Sequence, residues 1–204
     1  LGYRIVVTSA FPVVLDRFES IACELVDHRI LHRHLAKMPP AQRDREVEFF
    51  IGSSRGGVLL ADSSVDEGRN LQAASVLVNL DLPLDVNQLE QRIGRLDRFT
   101  DRSEPADVVV FTEPSSDWVS AHIELLRDGI GVLNDSVSTV QRLLAAVLGD
   151  LEAHLIWRGV EALQVDLAEL REQLEVERED IDLLEELESI ESATVFNDEA
   201  IEDL

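Results

Sequence analysis

The chain has 204 residues, 41 of them acidic and 18 basic, for a formal net charge of -23. Its one cysteine, Cys23, excludes an internal disulfide, and no signal peptide or apolar run of membrane-spanning length is present, so a reducing cytoplasm is the expected setting and no membrane partner is expected. Lys37 is the one lysine and is flanked by Ala36 and Met38, which excludes a P-loop, because that loop needs Gly-Lys followed by Ser or Thr.

In chain order, Arg4 to Thr8 reads as a buried strand, and Ser9-Ala10-Phe11-Pro12 turns the chain into a helix. Val14, Phe18, Ile21 and Leu25 recur there at three- and four-residue spacing, the stripe expected of a helix lying on a sheet. Arg29 to Lys37 fits either a short strand or a fraying helix. On a helix His28 and His32 would share a face and, with Cys23 and His34, invite a metal reading. Arg29 and Arg33 add repulsive charge and no second ligand pair follows, so no metal is expected. After Pro39-Pro40, Ala41 to Ile51 is a surface helix with Val47 and Phe50 on its apolar side and Pro just inside its start.

Ser53 to Gly57 breaks that helix, and Val58 to Ala61 is a strand apolar on both faces. Val76 to Leu80 and Val108 to Phe111 repeat the pattern, with a helix between them. Such runs belong to a parallel sheet covered on both sides, so the expected fold is α/β over 1–114. Ligands collect at the carboxyl ends of strands in these sheets, where Asp62 to Asn70 and Asp81 to Asp85 lie. From Ser115 onward the strand signal ends. Trp118, Ile123 and Leu126 predict a helix up to Asp128-Gly129, and Ser136 or Ser138 caps another through Leu148-Gly149. Leu163, Leu167, Leu170, Leu174, Ile181 and Leu184 then approximate a heptad stripe in a long amphipathic helix or helical hairpin. The last dozen residues are weakly patterned and either loosely ordered or docked through Val195, Phe196 and Ile201.

The run Gln91-Arg92-Ile93-Gly94-Arg95-Leu96-Asp97-Arg98 carries the chemistry. On a helix, Arg95 and Arg98 project from one face and can grip one phosphate from two directions, with Gln91 a turn earlier and Gly94 leaving the surface open. Arginine suits this task because its charge is permanent and its planar fork matches phosphate oxygens.

Taken with Asp66-Glu67-Gly68-Arg69-Asn70-Leu71-Gln72 and Asp81-Leu82-Pro83, this run resembles the second RecA-like lobe of superfamily-two helicases and translocases, and within them the RapA/HepA group of Swi/Snf-type ATPases. The resemblance is strong from Gly57 to Phe99 and loose beyond Ser115. It implies a RecA-like lobe contributing to an ATP site shared with an N-terminal motor lobe of the same polypeptide, which supplies the P-loop and holds Mg2+. The start at Leu1 rather than Met fits a C-terminal portion of such a protein. By the same resemblance Arg95 and Arg98 are the motif VI arginines that reach the ATP phosphates. Glu67 and Gly68 form the motif V turn near the nucleotide, and Asn70 and Gln72 organise that loop. Ser9 matches the region that touches a strand phosphate, although capping the next helix is an equal account of it. The implied track is double-stranded DNA, with RNA as the alternative.

The chain also departs from the wider family. Asp62 stands where Thr or Ser commonly meets the nucleic-acid backbone, and Leu84-Asp85-Val86 and Phe99-Thr100 replace words of the chromatin-remodelling relatives. From Asp150 to Leu204 there are 19 acids and three bases, a net of -16. That composition fits a salty cytoplasm or an arginine-favouring genome, and it also fits a tail that competes with DNA or binds a protein partner. The reading from another class is a non-catalytic acidic regulatory or protein-binding module that keeps a helicase-like fold.

Overall fold

The computed structural model describes residues 2–65, 71–97, 106–133, 137–149, 151–163 and 167–202, apart from the side chains at 97, 138, 147, 152, 185, 186 and 188–202. The chain divides into two compact units, residues 1–115 and 116–204.

Unit 1 is built on β1 (Arg4–Thr8), α1 (Pro12–Leu25), β2 (Leu31–His34), α2 (Pro40–Gly52), β3 (Gly57–Ala61), β4 (Val76–Asn79), α3 (Val86–Asp97) and β5 (Asp107–Val110). The strands form one sheet in the order β2-β3-β1-β4-β5, with every pairing parallel. Period-two alternation sorts the side chains into two cores. Val6, Leu59 and Leu77 meet Val47 and Phe50 of α2 and Leu96 and Ile93 of α3 on one face. Val7, Leu60 and Val78 meet Leu15 and Phe18 of α1 on the other. Each fully buried aliphatic or aromatic side chain here contributes about 1.5–3 kcal/mol. Helices therefore cover both faces, as the apolar strands predict.

The uncertain segment at 29–37 resolves into a 3-10 turn, His28–Ile30, followed by the edge strand β2. His28 and His32 thus share no helix face; His32 Nδ1 lies 3.1 Å from Glu46 Oε2 of α2. The expected stripe of α1 also needs correction. Leu15 and Phe18 face the sheet, whereas Val14 and Ile21 are exposed and Leu25 is 80% exposed. The three- and four-residue spacing holds, but the buried face is rotated by about one residue, because Leu15 and Phe18 fill the space over Val7 and Leu60.

Unit 2 begins with α4 (Asp117–Glu124), capped by Ser116 Oγ accepting from the Val119 N–H at 3.3 Å. It widens into a π-helical turn, Leu125–Ile130, which ends at Gly131 with φ of 80°. α5 (Gln141–Leu148) and α6 (Leu151–Arg158) precede α7 (Leu167–Glu202), a single helix rather than a hairpin. Leu163, Leu170 and Leu174 are buried, but Leu184 of the same predicted stripe is exposed. Among the described residues no helix is long and apolar enough to cross a membrane.

Candidate nucleotide-facing site at the carboxyl rim of the sheet

Loops leaving β1, β2, β3 and β4 are tied together at the carboxyl rim. Ser9 N–H donates to Ala61 O, Asp62 N–H to His34 O and Leu80 N–H to Thr8 O. Asp62, buried after β3, accepts from Ala36 N–H at 2.7 Å and from the Ser64 N–H and hydroxyl at 3.1 and 2.6 Å. Its carboxylate is therefore consumed in holding two loops together, which accounts for an acid where a phosphate contact would need the opposite sign. Ser64 Oγ is also 3.2 Å from His34 Nδ1.

Ser9 is fully buried, and its hydroxyl donates to Asp81 Oδ2 while accepting from Phe11 N–H at 3.0 Å. Asp81 Oδ1 takes the Ala10 N–H at 3.0 Å. Ser9 thus shapes the entry to α1, and its hydroxyl is engaged within the protein. Asp85 starts α3 by accepting from Asn87 N–H at 2.9 Å, an ordinary Asx cap.

Helix α3 has two functional sides. Leu89, Arg92 and Leu96 lie on the buried side at three- and four-residue steps. Arg92 Nη1 donates to Thr8 Oγ1 at 3.1 Å and to Asn79 Oδ1 at 3.0 Å, while Thr8 Oγ1 lies 3.0 Å from the same Asn79 oxygen. A buried guanidinium thereby bolts the helix to the ends of β1 and β4. Round the helix from these, Gln91 is exposed and Arg95, one turn on and about 60° from Arg92, is half-buried, and a Cβ added at Gly94 would meet nothing within 4 Å. The Arg95 carbonyl accepts from Leu71 N–H at 3.3 Å, joining the end of α3 to the segment that leads into β4.

The structure thus brings Gln91 and Arg95 to one helix face at the rim and places Ser9 inside the adjoining turn. Glu67, Gly68, Asn70 and Arg98 lie outside the described residues. Arg92, Thr8, Asn79 and Asp81 are the rim residues whose roles the sequence reading missed. The available signal was a cation at the 89, 92, 96 positions of an otherwise apolar stripe. Among the described residues no group of three or more His, Cys, Asp or Glu could hold a metal ion. A groove of about 590 Å3 lies beside β2 and α2, lined by His28, Leu31, Glu46 and Phe49, away from the rim.

The helicase conserved C-terminal domain family matches residues 2–100. This segment is a helicase C-terminal domain. The chain is 32% identical over 146 residues to the RNA polymerase-associated protein RapA of Vibrio cholerae, covering 68% of this chain and 15% of that protein. It is 38% identical over 91 residues to RapA of Pectobacterium carotovorum, covering 44% of this chain and 9% of the relative. It therefore spans a small part of the curated relatives it matches. The helicase-domain fold is shared with the C-terminal part of the Fun30 ATPase domain, at a TM-score of 0.53 and 16% identity over 72% of this chain and 48% of that one. Domain 2 of the DEAD-box helicase Mss116p gives 0.53 at 12% identity over 79% and 72%. The parallel five-stranded sheet is accordingly RecA-like, of the kind found in superfamily-two helicase C-terminal lobes.

Proposed function

We propose that this chain is the second motor lobe of an ATP-dependent helicase or double-stranded nucleic-acid translocase, with residues 1–114 forming the lobe and 115–204 an acidic helical extension. The observation that carries the reading is the division of α3. Arg92 fixes the helix from inside, and the exposed Gln91 and half-buried Arg95 share the flank beside the open surface of Gly94. In this reading ATP binds between the lobe and an N-terminal motor lobe of the same polypeptide, which carries the P-loop and holds Mg2+. As the cleft closes, Arg95 and Arg98 meet the β and γ phosphates and stabilise charge on the phosphoryl group in flight. Gln91 hydrogen-bonds alongside, and Glu67, Gly68 and Asn70 line the nucleotide from the loop before Leu71. Ser9 acts on the track through the shape of its turn, since its hydroxyl is held by Asp81. Duplex DNA is the favoured track because the RapA relatives are RNA polymerase-associated, and a polymerase works on duplex DNA.

The test uses the full-length protein, measuring ATP turnover with duplex DNA, single strands and RNA. Arg95→Ala and Arg98→Ala are each expected to lower turnover by roughly a thousandfold while the protein stays folded. Near-normal rates in both variants would remove the proposed role, and stimulation by RNA but not by duplex DNA would reassign the track.

A further inference from the structure

The second half of α7 carries an apolar stripe that its own unit leaves open. Leu174 is the last buried side chain described on this helix, yet Val176 is 52% exposed, Leu183 56%, Leu184 59% and Leu187 50%. At 3.6 residues per turn, Val176, Leu183 and Leu187 fall within about 40° of one another and Leu184 about 60° further round. Four large aliphatic groups on one side of a solvated helix form a contact seam, not scattered exposure.

Charge decides what such a seam can accept. Glu175, Glu179 and Asp182 recur at four- and three-residue steps along one flank, and Asp180 falls within the stripe. Residues 167–202 hold 14 acids and two bases. A second copy would set acid rows and Asp180 against their own kind, which opposes pairing, and nucleic-acid phosphate is repelled for the same reason. A helix with cations beside its apolar seam satisfies every one of these groups.

We propose that this face of α7 docks a basic amphipathic helix of a partner protein. Its apolar seam packs on Val176, Leu183, Leu184 and Leu187, and its Lys or Arg side chains reach Glu175, Glu179, Asp180 and Asp182. The site names the partner chemistry of the acidic extension and stands independently of the ATP reading, since its test involves no nucleotide.

The experiment measures fluorescence anisotropy of a labelled helical peptide of about three heptads, with Leu along its seam and Lys and Arg beside it, titrated with this chain. A twin with Glu at the flanks and a scrambled basic peptide serve as controls. The amphipathic basic peptide is expected to bind and both controls to fail. The double variant Leu183→Ser, Leu187→Ser should bind on the order of tenfold or more weakly, with helical circular dichroism and melting unchanged. Absence of binding by the basic peptide would overturn the proposal. So would equal binding by the scrambled peptide or the double variant, which would show attraction by charge alone. Sedimentation showing a dimer of the parent that the double variant converts to monomer would assign the face to a second copy instead.

Discussion

Within α3, Arg92 is an internal anchor, and Arg95 is the arginine proposed to meet phosphate. Arg92 points inward to Thr8 and Asn79, and Arg95, three residues on and about 60° round the helix, is half-buried on the adjoining flank. Arg92→Ala would leave the oxygens of Thr8 and Asn79 without their charged donor, at a cost of about 2–4 kcal/mol in urea unfolding of this chain. A loss well under about 1 kcal/mol would show that the bolt contributes little. Gly94 invites an opposite result in two assays. Alanine at an open interior helix position stabilises by about 0.5–1 kcal/mol, because glycine has more backbone entropy to lose. In the full-length protein the same Gly94→Ala change is expected to slow ATP turnover, since in the proposed motor the added methyl would stand on the surface against which the cleft closes. A variant both more stable and fully active would mean that this surface never approaches the nucleotide.

Among the elements, α4 carries a group sensitive to pH. His122 is buried, and burial holds its imidazole below the ordinary value. The folded unit then takes up a proton less readily than the unfolded chain. Its contribution is fully present above the ordinary imidazole pKa of about 6.5 and is lost as the pH falls below it. Melting followed through Trp118, whose ring centroid is 6.1 Å from that of His122, should show a drop between about pH 7.5 and about pH 5.5. His122→Gln should flatten that drop, and an identical pH profile in parent and variant would refute the assignment. The same scale shows where pattern reading stops. The α1 spacing was legible, yet its phase was not, because Leu15 and Val14 are equally apolar and the sheet's relief chooses between them. Residues 29–37 stayed ambiguous since a four-residue edge strand has too few positions to display a period.

For the molecule as a whole, the proposed sharing of an ATP site with a second lobe has a direct consequence. Lys37 is the one lysine and sits just after β2, outside any Gly-Lys-Ser or Gly-Lys-Thr sequence, so the pure chain is expected to show no ATP hydrolysis above background. Phosphate release from this chain alone, abolished by Arg95→Ala, would refute that and require a different catalytic arrangement. The two units each have buried apolar residues, Val6, Phe50 and Leu77 in one and Leu126, Leu163 and Leu170 in the other. The acidic surplus is concentrated in the second, where Glu175, Glu179, Asp180 and Asp182 of α7 face solvent.

By itself the sequence determined the parallel α/β lobe, the helical unit after it and the helix that carries Gln91 and Arg95, because long apolar runs and local spacing are properties of the chain written in one dimension. Only tertiary structure decided that Arg92 is the inward anchor, that Asp62 and Ser9 are spent on their neighbours' loops, and which side of α7 remains open. Those outcomes depend on groups far apart in the chain, such as Thr8, Asn79 and Arg92, competing for the same buried hydrogen bonds, and residue order alone does not rank such a competition.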